Sequence, residues 1–154
     1  QGRYSVAYPS PDNPILTAQG PAYPVGTVID TAGSFDYLEK IHAAMQKAVY
    51  RFENTLFAAH FSHWYPGGGM MYPYVYNIGA PRDETMLDLY FRIQREAVRT
   101  ILELGGTINH HHGIGLTLSG FMEDELGPTG LAALRAIKRA LDPNGIMNPG
   151  KLGM

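Results

Sequence analysis

Apolar and polar positions change their spacing several times along the chain, and each spacing predicts a different element. The short β-branched run at 25–31 is typical of a strand. After Ser34, a residue suited to capping a helix N-terminus, apolar residues recur at helical spacing. They are Leu38, Ile41, Met45 and Val49. We therefore expect a helix that begins near Ser34 and buries this face.

Two more strands are predicted on either side of a turn that is rich in proline and glycine. Residues 55–65 and 70–78 contain many aromatic and β-branched side chains, and the PGGG sequence at 66–69 separates them. Pro73 lies within the second run and has no backbone N–H for the sheet, so we expect irregular pairing there. The two runs together indicate a β-hairpin.

The register of this hairpin decides which side chains share a face. A turn confined to 66–69 pairs His63 with Tyr72, and directly opposed side chains lie about 5 Å apart at Cβ. We therefore expect a platform of tyrosine and histidine, with His60 on the opposite face because side chains alternate along a strand. Simple aromatic packing in a half-buried sheet is the alternative explanation of the pattern.

The second half of the chain begins with a long helical repeat at 83–104, which Gly105 and Gly106 end. Residues 107–109 are then predicted as a short strand. The element order is therefore β-α-β-β-α-β, a ferredoxin-like α+β fold with an antiparallel sheet and helices on one face. A C-terminal helix at 128–141 and an irregular tail follow it.

Composition narrows the class of protein. The 154 residues are 45% apolar and 17% charged, which is typical of an ordered globular domain. The formal net charge of −2 argues against a nucleic-acid partner. The absence of cysteine excludes disulfides, thiol catalysis and cysteine-ligated zinc. No apolar run is long enough for a transmembrane segment.

The chain divides into three parts by composition and periodicity. Residues 1–24 are rich in proline, serine, glycine and tyrosine, and we interpret them as a connector. The ferredoxin-like body is expected at 25–115, and the C-terminal helix and tail at 116–154. We expect the whole to be part of a larger protein, because an irregular tail that ends in turns is suited to docking on a neighbouring domain.

Three consecutive histidines, His110 to His112, are the strongest candidates for chemistry. Imidazoles can transfer protons, bind an anion such as a phosphate, or ligate a metal. On an extended backbone, His111 would point away from its two neighbours. His60 and His63 have a spacing that suggests metal ligation, but a strand separates them onto opposite faces. Metal binding is therefore the weaker alternative, and acid/base or substrate-binding roles are favoured.

Three segments together resemble a known family. They are SHWYPGGGMMY at 62–72, ELGGTINHHHGIG at 103–115 and ALDPNGIMNPGKLG at 140–153. This combination is similar to the C-terminal part of the FAD-linked oxidases of the vanillyl-alcohol oxidase superfamily. The histidine triplet resembles that of the alkyldihydroxyacetonephosphate synthase-like members, whereas the last segment is closer to the oxidases.

The resemblance implies a cofactor and a partner. FAD would be bound mainly by an N-terminal FAD-binding domain that this sequence does not contain. The open face of the sheet would cover the flavin, and residues 116–154 would pack on that domain. We also expect a homo-oligomer that is cytoplasmic, or at most peripheral to a membrane.

The same resemblance implies roles for particular residues. Tyr72 matches the tyrosine proposed as an acid/base group, and His111 and His112 match members of the triplet at the substrate site. Further residues are expected close to the substrate or the cofactor. These are His63, His110, Gly113 and Asn148. No residue is assigned to a metal.

Three functions stay open on this evidence. The first is the substrate-binding portion of a synthase-like enzyme that exchanges an acyl chain for a fatty alcohol on a small lipid precursor. The second is an FAD-dependent oxidase or dehydrogenase of a hydroxy acid or alcohol. The third is a stand-alone, histidine-rich module of ferredoxin-like fold that binds a metal or another ligand. A fragment of this kind is expected to be inactive by itself.

Overall fold

Four antiparallel strands form one open sheet in the computed structural model, which describes residues 22–81, 83 and 85–154. The strands are β1 Ala22–Val28, β2 Thr31–Ser34, β3 Thr55–Tyr65 and β4 Gly68–Pro81. The strand β4 pairs with β3 along one edge, and with β1 and then β2 along the other. The long strand β4 therefore organises the whole sheet.

Three helices accompany the sheet. They are α1 Phe35–Val49, α2 Thr85–Glu103 and α3 Met122–Leu141. Single 3₁₀ turns occupy Ser119–Phe121 and Lys151–Gly153. None of the described helices is long and apolar enough to cross a membrane.

The core lies between the helices and one face of the sheet. The predicted stripe of α1 is buried against apolar residues of α2 and against Met71 and Val75 of β4. Full burial of each large aliphatic side chain contributes about 1.5–3 kcal/mol. The hydroxyl of Ser34 accepts a hydrogen bond from the backbone N–H of Tyr37, at 3.3 Å between Oγ and N, which confirms the predicted N-cap. The α+β fold with an antiparallel sheet and helices on one face is thus confirmed.

The predicted register of the hairpin is wrong. Tyr72 opposes His60, and Tyr65 opposes Gly68, because the turn is formed by 66–67 alone. The ladder passes Pro73 without a break, and the irregularity lies instead at a bulge, where His63 and the residue after it oppose a single residue of β4. The expectation that His60 lies on the face away from Tyr72 is therefore also wrong.

Two other predicted strands differ from the structure. The run at 25–31 is divided between β1 and β2, with Ile29 and Asp30 at the break. Residues 107–109 are not a strand, because the hydrogen-bonding groups of Thr107 and Ile108 are bound by a carboxylate of α3 rather than by a neighbouring strand. The observed order is accordingly β-β-α-β-β-α-α, without the last strand of the ferredoxin-like arrangement.

The C-terminal helix is longer than its periodicity indicates. It begins at Met122, but Gly127 interrupts it with a φ of 69° and a ψ of 167°. Pro128 then starts the second half, where a first-turn proline loses no helical hydrogen bond. That second half corresponds to the predicted helix at 128–141. Of the predicted connector at 1–24, residues 1–21 lie outside the described part of the chain.

Candidate functional site

The loop after α2 carries the histidine triplet, and its first residues are held by a polar contact and by an apolar one. Thr107 Oγ1 donates to Glu125 Oε1 at 2.6 Å, and the backbone N–H of Ile108 donates to Glu125 Oε2 at 3.2 Å. The side chain of Ile108 is fully buried in the core. One apolar side chain and one carboxylate therefore hold the start of the loop against the core and α3, and the triplet follows directly.

A buried carboxylate lies beneath the triplet. Asp30, at the break between β1 and β2, is 2% exposed. Its Oδ2 accepts hydrogen bonds from the backbone N–H groups of His111, at 2.6 Å, and His112, at 3.2 Å. Burial acts to raise the pKa of Asp30, but the backbone N–H groups of the triplet, that of His111 first, outweigh it and leave that pKa below its ordinary value. Asp30 is therefore ionised at neutral pH.

The three rings of the triplet lie together. The centroids of His111 and His112 are 3.9 Å apart, and His110 Nδ1 lies 3.0 Å from His111 Nδ1. The Nδ1 atoms of His111 and His112 lie 3.1 and 3.3 Å from Asp30 Oδ2. The expected separation of His111 from its neighbours is wrong, because this backbone is not extended but turns around the carboxylate.

The bulge of β3 brings a fourth histidine to the cluster. His63 has a φ of 51°, a left-handed conformation that a residue with a Cβ adopts at a cost of about 1–2 kcal/mol. Its ring centroid lies 5.1 Å from that of His110 and 4.8 Å from that of His111. Ser62 Oγ lies 2.9 Å from His63 Nδ1 and orients the ring. The strained backbone is thus coupled to the placement of a functional side chain.

Two tyrosines of the hairpin complete the site. Tyr65 Oη lies 2.6 Å from His110 Nε2, a hydrogen bond between the end of β3 and the triplet. The Tyr72 ring lies 4.7 Å from the His112 ring and 4.8 Å from that of Tyr74. Phenol and imidazole groups from the hairpin and the loop therefore meet at the rim of the sheet face that the helices leave open.

The structure brings together most of the residues predicted for the site. His63, Tyr72 and the triplet form one cluster, which we call the histidine rim together with Asp30 and Tyr65. Gly113 follows the rim with a φ of 85°, and its N–H donates to Asn109 Oδ1 at 2.6 Å. Asn148 lies in the C-terminal tail, and none of the described contacts joins it to the rim.

Asp30 and Tyr65 are the members of the histidine rim that were not predicted from the sequence. Asp30 had a detectable signal, because a single carboxylate inside the apolar run at 25–31 must be bound by donors if it is buried. Tyr65 had none, since only the observed turn and bulge bring its hydroxyl to His110.

A cleft of about 250 Å³ opens beside His112. Neutral polar groups form part of its wall: Gln94 Nε2 lies 3.2 Å from Tyr90 Oη and 3.4 Å from Thr27 Oγ1. Asp30 and His112 line the same cleft. The histidine rim is therefore accessible to a ligand both from the open face of the sheet and from the cleft beside His112.

Comparison with known proteins identifies the family of the chain. Residues 6–152 match the family model described as "FAD linked oxidases, C-terminal domain". The chain belongs to this family. The resemblance inferred from the three sequence segments is thereby confirmed.

Relatives and solved structures within this superfamily differ in their named activities. Alkyldihydroxyacetonephosphate synthase of Trypanosoma brucei brucei is 36% identical over 100 residues, which are 65% of this chain and 16% of that protein. The mitochondrial D-lactate dehydrogenase (cytochrome) of Arabidopsis thaliana is 43% identical over 61 residues, which are 40% of this chain and 11% of that protein. A solved structure of alkyldihydroxyacetonephosphate synthase shares the fold, with a TM-score of 0.53 and 21% identity over 82% of this chain and 20% of that one. The chain thus spans a fifth or less of the length of these proteins.

The rim of this FAD-linked oxidase domain offers groups that fit a flavin and, by distance, a metal ion. The half-buried rings of Tyr72 and Tyr74 on the open face suit contact with a planar ring system. Two sets of three residues each have donor atoms that lie within 4.8 Å of one another. One set is His63, His110 and His111, and the other is Asp30, His111 and His112. Desolvation, and then the charge of His112, lower the pKa of His111, so its ring is neutral at neutral pH. A neutral imidazole can accept a proton or bind a metal.

Proposed function

We propose that this domain supplies the proton-transferring and substrate-binding side of an FAD-dependent active site. The observation that carries the proposal is the convergence of four histidines and two tyrosines on one rim of the open sheet face. Loops and strands distant in sequence build that rim around a buried, ionised carboxylate. A surface required only for packing would not need such an arrangement of titratable groups.

The FAD-binding portion of the whole enzyme is the occupant that we propose for the open face. The family is defined as a C-terminal domain, and the chain spans only 16% of the synthase relative. Apolar side chains are exposed on the sheet and near the C-terminus, with Leu56 at 42% and Leu141 at 76%. Such surface is typical of an interface with another domain.

Residues of this chain would handle protons and orient a small substrate. FAD supplies the electron-accepting or adduct-forming chemistry when it is bound. The neutral ring of His111 is suited to accept the proton of a substrate hydroxyl, and Tyr72 and His112 are suited to hold the oxygen that loses it. The cleft beside His112 offers neutral hydrogen-bonding groups to a polar part of the substrate.

Two reaction classes follow from the relatives. The synthase relative supports exchange of an acyl chain for a fatty alcohol, and the D-lactate dehydrogenase relative supports oxidation of a 2-hydroxy acid. The histidine triplet favours the first. Metal binding at the histidine rim is a second candidate function, which the two sets of close donor atoms favour.

The test is substitution in the full-length flavoprotein that carries this domain. Tyr72→Phe and His111→Gln should each lower kcat by about 10²–10⁴-fold while flavin stays bound, because an acid/base group is removed. Tyr50→Phe is the matched control, since Tyr50 is exposed at the end of α1, away from the rim. Unchanged turnover in both rim variants would contradict the proposal, and a stoichiometric metal required for turnover would favour metal binding at the histidine rim.

A further inference from the structure

The buried carboxylate of Asp30 restricts where protons can sit on the neighbouring rings. An ionised carboxylate accepts hydrogen bonds and donates none. Its Oδ2 already accepts two backbone N–H groups, and the Nδ1 of His111 lies 3.1 Å away. A negative charge at this distance stabilises an N–H on that nitrogen and destabilises a bare lone pair there. The neutral ring of His111 therefore carries its proton on Nδ1.

The position of this proton determines that of the next one. His111 Nδ1 also lies 3.0 Å from His110 Nδ1, and a hydrogen bond between them requires one donor and one acceptor. With its proton on Nδ1, stabilised by the nearby carboxylate, His111 is the donor in this hydrogen bond, and His110 Nδ1 is the acceptor and has no proton. In its neutral form the His110 ring has one N–H, which is then on Nε2.

The N–H of His110 is directed at a tyrosine of the hairpin. His110 Nε2 lies 2.6 Å from Tyr65 Oη, so its N–H donates to the phenol oxygen. The hydroxyl of Tyr65 then keeps its own proton available for another acceptor. Tyr65 is 49% exposed, so its side chain is accessible to a ligand.

We propose that Asp30 is a positioning residue that fixes the proton order along Asp30, His111, His110 and Tyr65. This order leaves Nε2 of His111 as a bare base and makes the hydroxyl of Tyr65 a hydrogen-bond donor to an oxygen of the substrate. The tautomers rest on the distances among the described residues and on the charge of Asp30, and not on the proposed function. The role of Tyr65 toward substrate rests on the proposed function, and the two parts therefore have separate tests.

Nitrogen NMR of the histidine rings tests the proton order in the 154-residue chain. Long-range ¹H–¹⁵N spectra at about pH 8.5, where imidazoles are neutral, distinguish the two tautomers of each ring. His110→Gln and His111→Gln assign the signals. We expect the Nδ1–H form of His111 and the Nε2–H form of His110. An Nε2–H form of His111, or rapid averaging between its tautomers, would overturn the proposal.

Substitution of Asp30 separates positioning from mere structural support. In Asp30→Asn the His111 signals should move toward a mixture of tautomers, and Asp30→Glu should restore the Nδ1–H form at least in part. Asp36→Asn, an exposed substitution in the first turn of α1, should leave both rings unchanged. An unchanged His111 tautomer in folded Asp30→Asn would contradict the role of Asp30. If that variant fails to fold, the wild-type spectrum still decides the proton order.

The donor role of Tyr65 is tested by kinetics of the full-length flavoprotein. Tyr65→Phe should lower kcat about tenfold or more with little change in KM, because the lost bond forms with the reacting oxygen rather than with the whole substrate. If Tyr65→Phe keeps full turnover while Tyr72→Phe is impaired, the donor role of Tyr65 is overturned and the proposed function is not. A wild-type protein without flavin-dependent turnover would instead refute the proposed function and leave the tautomers standing.

Discussion

The two faces of the sheet are built by different kinds of interaction. The helix-covered face is an apolar core in which Ile41, Met45 and Ile101 are fully buried. The rim of the open face depends on a few specific hydrogen bonds, on the left-handed backbone of His63 and on the carboxylate of Asp30. The core tolerates changes that keep its volume, whereas the rim should fail when a single group is replaced by one of the same size.

The largest expected effect comes from the core. Ile41→Ala should lower the free energy of unfolding by about 2–5 kcal/mol, because it leaves a cavity among α1, α2 and β4. Leu141→Ala is the control, since Leu141 is 76% exposed and its loss should change stability by about 0.5 kcal/mol or less. Urea denaturation followed by far-UV circular dichroism measures both. Equal effects would mean that the buried stripe of α1 is not the centre of the core.

A smaller effect is expected at the buried carboxylate. Asp30→Asn should cost about 1–3 kcal/mol, because a charged acceptor of two backbone N–H groups is replaced by a neutral one of similar shape. The exposed Asp36→Asn should cost little. The same denaturation experiment measures the difference, and a variant as stable as the wild type would show that the loop holds itself in place.

The pH dependence of stability sharpens this comparison. The pKa of Asp30 is lowered by the backbone N–H groups of the triplet, which outweigh the effect of burial. Its stabilising contribution is therefore complete above the ordinary value of 3.8 and is lost as the pH falls through the lower value of the folded protein. The Asp30→Asn variant has no carboxylate to protonate at this position, so it should not lose this contribution. The free energies of unfolding of the wild type and the variant should therefore converge as the pH falls. Parallel curves down to the acid transition would contradict the assignment.

The smallest expected effect concerns the bulge. His63→Asn should change stability by about 0.5 kcal/mol or less, because asparagine tolerates a left-handed backbone. His63→Val should cost about 1–2 kcal/mol, since a β-branched residue does not adopt that conformation readily. Thermal unfolding compares the two variants. Equal melting temperatures would show that the bulge relaxes and that the position of His63 is not imposed by strain.

Local patterns predicted the elements that obey local rules. The spacing of Leu38 to Val49 and the Ser34 cap define α1, and the glycine pair after 83–104 ends α2 within one residue of the predicted end. The strand at 107–109 was predicted wrongly because Glu125, a residue of α3, binds its polar groups. A long-range carboxylate contact leaves no periodic trace in the segment that it orders.

The candidate site divides in the same way. The triplet, His63 and Tyr72 are recognisable from residue type and from the family resemblance, which the match over 6–152 confirms. Their mutual arrangement is not, because a register that differs at the bulge moves Tyr72 opposite His60 and sends His63 toward the triplet. A change of register alters which side chains meet without altering the composition of either strand.

The sequence by itself determined the family, the α+β class and the chemical types at the site, since these depend on residue identity and on repeats of a few residues. Only the tertiary structure decided that Asp30 lies under the histidines and that Tyr65 reaches His110. Both pairs join residues that are far apart in the chain, and the energy that favours them appears only when the loop, the bulge and the end of β1 are packed together. The proton order of the rim is therefore a property of the fold.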